Sequence, residues 1–151
     1  MASLQLVGIA RYSSLVAPRP APNVSRSTVR STAVSRITVA TPLLALSEVA
    51  GAIARQTNDS KLAEKISVFL HAQPWVQFVP LTDALATEAA TAAARQRLRG
   101  ADAVYVALAA QRTLTLVTLD REMLERTKEI VTSVTPTAWL KQHRSSDRPA
   151  Y

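Results

Sequence analysis

The sequence predicts an α/β domain in which a parallel sheet is flanked by helices on both faces. From residue 36 onward, short β-branched and apolar runs alternate with longer segments of helical period, the order that builds such a sheet. The 151 residues, 48% hydrophobic and 19% charged, suit one soluble domain large enough for a real core. There is no cysteine, which excludes disulfides, thiolate zinc sites and a cysteine nucleophile.

Taken in order, Leu4 to Ala10 is a candidate short buried strand, and its place in the sheet is left open. Arg11 to Arg36 holds neither helical nor strand period for long and is expected to be partly disordered. Arg36 to Ala40 alternates as a strand, and Thr41 and Pro42 suit the N-cap and first position of a helix reaching about Gln56. Asn58 to Ser60 supplies a turn and a cap. Leu62, Ala63, Ile66, Phe69 and Leu70 then recur at helical spacing.

Trp75 to Val79 is a strand stopped by Pro80, and Thr82 or Asp83 caps an alanine-rich helix to Leu98. Gly100 separates that helix from the next, which carries Asp102 and ends near Arg112. A strand over Thr113 to Thr118, a short helix over Arg121 to Thr127, a strand over Ile130 to Val134 and a helix opened by Thr135 and Pro136 complete the chain. Trp75, Trp139 and Phe69 are expected in the core, and His71 and His143 on the surface.

The net charge of +7 is unevenly placed. Residues 1–36 carry five arginines and no acid, residues 37–140 balance ten basic against ten acidic groups, and residues 141–151 add +2. A nearly neutral body over 36–140 thus lies between a basic Arg/Ser/Pro-rich segment over 1–35 and a basic tail over 141–151. The longest uncharged run, Ile66 to Thr82, contains two prolines and a histidine, so no membrane span is expected.

Three acids stand alone in apolar surroundings: Glu48 between Pro42 and Ala54, Asp102 between Gly100 and Gln111, and Asp120 at the end of a strand-like run from Thr113. Carboxylates gathered in a low-dielectric rim repel one another, and a divalent cation removes that cost. With two histidines and no cysteine the ligands would be oxygens, which favours magnesium or manganese. Singly, Asp102 and Asp120 are equally what a helix cap looks like. Thr118, two residues before Asp120, could offer a hydroxyl to the same place. Arg95, Arg97 and Arg99 form a cluster that could attract phosphates or simply complement a helix end.

The runs Pro42 to Val49, Leu98 to Ala109 and Leu116 to Asp120, with Val134 to Leu140 closing, together resemble a PIN domain, nearest to the VapC-type ribonuclease toxins of bacterial toxin–antitoxin pairs. The resemblance implies a three-layer fold on a five-stranded parallel sheet, and a four-acid pocket for Mg2+ or Mn2+ that hydrolyses RNA phosphodiester bonds. It maps Glu48, Asp102 and Asp120 onto three of those acids, with Thr118 as the accessory hydroxyl; Arg95, Arg97 and Arg99 are, by their charge, the candidate RNA-binding residues. A cognate antitoxin, a homodimer and a cytoplasmic location are also implied. The fourth acid ends the family's first strand, whereas Leu4 to Ala10 is followed by Arg11. Residues 1–35 are accordingly expected to be a replaced or frame-shifted N-terminus. A catalytically impaired homologue that only binds its partner is the competing expectation.

Overall fold

The computed structural model describes residues 4–7 and 38–144. The strands are β1 (Leu4–Val7), β2 (Thr38–Pro42), β3 (Val76–Val79), β4 (Leu116–Val117) and β5 (Ser133–Val134). The helices are α1 (Ala45–Thr57), α2 (Ser60–His71), α3 (Asp83–Gln96), α4 (Gly100–Gln111), α5 (Arg121–Arg126) and α6 (Pro136–Arg144). Every strand pairing is parallel, in the order β3-β2-β1-β4-β5.

The first strand in sequence is therefore central. Leu4 pairs with Thr38 on one side and Leu6 with Leu116 on the other, so the sheet draws on residues well before 36. Strand order reverses across β1 and β4, since the chain leaves β1 toward β2 and β4 toward β5. In open parallel sheets such a reversal opens a crevice at the carboxyl ends of the strands.

Thr41 and Pro42 do not open a helix, contrary to the sequence expectation. Both pair with β3, Thr41 to Phe78 and Pro42 to Val79, and helix α1 starts only at Ala45 behind Leu44. The Leu43 N–H donates to the Val79 carbonyl (2.8 Å), so the backbone is held as strand one residue past the proline. Elsewhere local chemistry and structure agree. Asp59 accepts from Leu62 N–H (2.9 Å) to cap α2, and Thr82 accepts from Leu85 N–H (3.3 Å) to cap α3. Helix α3 ends at Arg97 in the left-handed region (φ 54°) rather than at Gly100, which is the first residue of α4.

Helix α4 is the hub of the core. Ala103 to Ala109 are all buried, the helix packs on α3, β2 and β4, and Leu85, Ala89, Leu114 and Leu116 complete the cluster around it. Each fully buried aliphatic side chain contributes about 1.5–3 kcal/mol. The small Ala89, Ala92 and Ala93 of α3 let the two helices approach closely. By contrast Phe69 and Trp75 are exposed (66% and 48%): α2 turns its Ala63 face inward and leaves Phe69 on the outer side, and Trp75 lies in the turn between α2 and β3. His71 is exposed and meets Phe78 edge-on at 5.3 Å, while the side chain of His143 and the tail beyond residue 144 lie outside the described residues. Among the described residues no helix is long and apolar enough to cross a membrane.

Candidate active site

Each of the three candidate acids lies at a helix start. Glu48 lies in the first turn of α1 just beyond the carboxyl end of β2, not mid-helix as its sequence setting suggests. Asp102 lies in the first turn of α4, and Asp120 caps α5 beyond the end of β4. Free backbone N–H groups and the helix dipole favour negative charge at all three positions.

Asp102 is the centre of the group. Burial raises the pKa of its half-buried carboxyl, the charges of Asp120 and Glu122 raise it further, and Arg99 opposes them. Burial likewise raises the pKa of Glu48, with a smaller push from Asp102, against the hydrogen bond that Glu48 accepts from Tyr105. Asp120 and Glu122 thus act on Asp102, and Asp102 in turn acts on Glu48. Among the described residues, no three acidic or imidazole side chains form a group able to grip an ion as they stand.

Two of the three acids, Glu48 and Asp120, are anchored by hydrogen bonds. The Tyr105 hydroxyl donates to Glu48 Oε2 at 2.5 Å, across 57 residues of sequence. Asp120 Oδ1 accepts from the N–H groups of Glu122 (2.8 Å) and Met123 (3.1 Å), so its second oxygen is the one available to a ligand. Thr118 is buried, accepts from Asp120 N–H (3.1 Å) and directs its own hydroxyl at Met123 Sδ (3.7 Å). Its hydroxyl therefore shapes the turn that presents Asp120 instead of facing into the cluster. Glu122 pairs with Arg126 (2.7 Å), which also donates to the Arg97 carbonyl and so ties α5 to the α3–α4 turn.

The arginines separate. Arg95, Arg97 and Arg99 are all exposed, but Arg99 alone of the three is felt at Asp102, while Arg95 lines a cavity of about 370 Å3 between α3 and α4. Sequence reasoning missed Tyr105, counted as one more apolar residue of α4. Its signal was available: it lies one helical turn after Asp102 and carries the helix's only hydroxyl.

The pattern of the PIN domain matches residues 13–130. The chain belongs to the PIN domain family. PIN domains are nucleases of RNA and generally depend on a divalent metal, which is the setting in which the acidic group of this PIN domain is to be understood. The matched range reaches back into the Arg- and Ser-rich stretch and stops before β5. Comparison with curated proteins gave no match.

The donor set suits such an ion in chemistry. It is all carboxylate, it carries surplus negative charge around Asp102, and two of its members are held in raised-pKa settings that a cation would relieve. In number it is one short of the family's four, since no aspartate or glutamate precedes Glu48 in the chain and the central strand brings none.

Proposed function

We propose that this PIN domain is a metal-dependent endoribonuclease in which Glu48, Asp102 and Asp120 hold Mg2+ or Mn2+ and Thr118 supports Asp120. One observation carries the reading: Asp102, half-buried at a helix start in a PIN domain, stands within electrostatic reach of Glu48, Asp120 and Glu122. A bound divalent ion supplies charge stabilisation at the scissile phosphate and lowers the pKa of the attacking water. The chain's own residues keep the three carboxylates oriented, and Arg99, with Arg95 and Arg97 further out, draws the RNA backbone toward them. The basic segments over 1–35 and 141–151 add to that attraction around the nearly neutral body over 36–140.

The finer assignment is a toxin of the VapC type, acting in the cytoplasm, forming a homodimer and restrained by a cognate antitoxin. It rests on the likeness of the runs around Glu48, Asp102 and Asp120. The test is cleavage of a mixed RNA substrate with and without Mg2+. Cleavage should need the ion and fall at least a hundredfold in Asp102→Asn and in Glu48→Gln. Cleavage that survives both substitutions refutes the assignment.

A second reading has an observation of its own. The absence of any carboxylate before Glu48, together with the lack of a ready three-ligand group among the described residues, favours an impaired homologue that binds a partner protein without cutting RNA. It predicts a stable complex with the antitoxin and no Mg2+-dependent cleavage.

A further inference from the structure

Tyr105 is 2% exposed, and the neighbours before and after it on α4 are valines. A phenol placed there needs an acceptor, because a buried hydroxyl without one costs about 1–3 kcal/mol. Leucine or phenylalanine would fill the space without that demand. The acceptor it finds is Glu48 Oε2, at 2.5 Å and from a different helix.

Behind it stands Thr41, at the carboxyl end of β2. Thr41 is 5% exposed, and its Oγ1 is buried with no hydrogen bond of normal geometry. It lies close enough to the Tyr105 hydroxyl to favour the ionised phenol, against the stronger effects of burial and Glu48 that push the phenol's pKa far up. The Tyr105 hydroxyl thus lies near Thr41 of β2 and is hydrogen-bonded to Glu48 of α1.

We infer that Tyr105, backed by Thr41, is a positioning residue for Glu48, engaging Oε2 and so fixing how the Glu48 carboxylate would be presented to a cation. The inference rests on the nuclease reading and deepens it. A carboxylate anchored by one oxygen binds an ion through the other, and losing such an outer partner typically weakens a metal site about 10–100-fold. The aromatic ring fills the core and the hydroxyl alone does the positioning, so the two roles separate by substitution.

The experiment compares the full-length wild-type chain with Tyr105→Phe, Thr41→Val and Thr41→Ser. Three readouts are taken: Mn2+ binding by calorimetry without RNA, kcat and KM for RNA cleavage, and the thermal midpoint. Tyr105→Phe should bind Mn2+ at least tenfold more weakly and lose kcat by a similar factor with KM for RNA unchanged. Thr41→Val should move both in the same direction by less, and Thr41→Ser should match wild type. A Tyr105→Phe chain that melts lower yet binds Mn2+ and turns over like wild type overturns the positioning role and leaves the nuclease reading standing. A wild-type chain that neither binds Mn2+ nor cleaves RNA overturns both.

Discussion

Asp102 should be a residue that costs stability for the sake of its charge. Its carboxylate is half-buried beside Asp120 and Glu122, with Arg99 opposing them, and Glu48 feels its charge in turn. After solvent screening, burial and surplus repulsion together amount to about 1–2 kcal/mol. The first-turn dipole returns about 0.5 kcal/mol of that to the charged form. Asp102→Asn keeps the shape and removes the charge, so in chelator at pH 7 it should stabilise the fold by about 1 kcal/mol. For a chain of this size that is a rise in Tm of roughly 3 °C.

The pH dependence fixes the sign. A carboxyl whose folded pKa is raised holds a proton that the unfolded chain releases, so its stabilising effect is complete below the unfolded value of about 4 and is lost as pH rises through the folded one. The advantage of Asp102→Asn should accordingly vanish toward pH 4. Saturating Mg2+ should reverse the order at pH 7, because an ion at a hundred times its Kd adds about 2.7 kcal/mol to the wild-type chain alone. Melting curves by circular dichroism at both pH values, in chelator and in Mg2+, are the assay. An Asp102→Asn chain that melts below wild type in chelator at pH 7, or a gain equally large at pH 4, refutes the reasoning.

Other outcomes follow from the same geometry. Glu48→Gln should flatten the decline of metal-free stability between pH 4 and 7, because the Glu48 pKa is raised by burial and by Asp102; a pH–stability curve parallel to wild type's counts against this. At Asp120 cap and ligand separate: Asp120→Asn should keep Tm within about 2 °C and lose cleavage, whereas Asp120→Ala should lose both cleavage and about 1 kcal/mol in denaturant titration. Leu108→Ala, at a fully buried position of α4, should cost about 2–5 kcal/mol and lower Tm by roughly 10 °C by calorimetry.

Much of this structure is readable from side-chain chemistry one segment at a time. Asp59 and Thr82 announce the helices they cap, and the isolation of Glu48, Asp102 and Asp120 marks them as a group. What is decided between segments is not readable in that way. Thr41 and Pro42 form a good helix start on local grounds, yet pairing with Phe78 and Val79 keeps them in the sheet. Phe69 and Trp75 have core chemistry, but the packing face of α2 belongs to Ala63 and leaves Phe69 outside, while Trp75 is exposed in the turn before β3. Tyr105 looks like one more apolar residue until Glu48 arrives from another helix. Leu4 to Val7 has strand composition, but nothing local indicates that it lies at the middle of the sheet.

That middle position has a cost in time. Leu6 pairs with Ala40 on one flank and with Leu116, on the order of a hundred residues downstream, on the other. During synthesis the N-terminal stretch emerges first, and its second flank waits until α4 and β4 have left the ribosome. Among the strands it is the sole seam between β3-β2 and β4-β5. Substitutions in β1 therefore bear on whether the two pairs ever join, and the yield of folded chain should be more sensitive to them than to substitutions on the exposed side of α6.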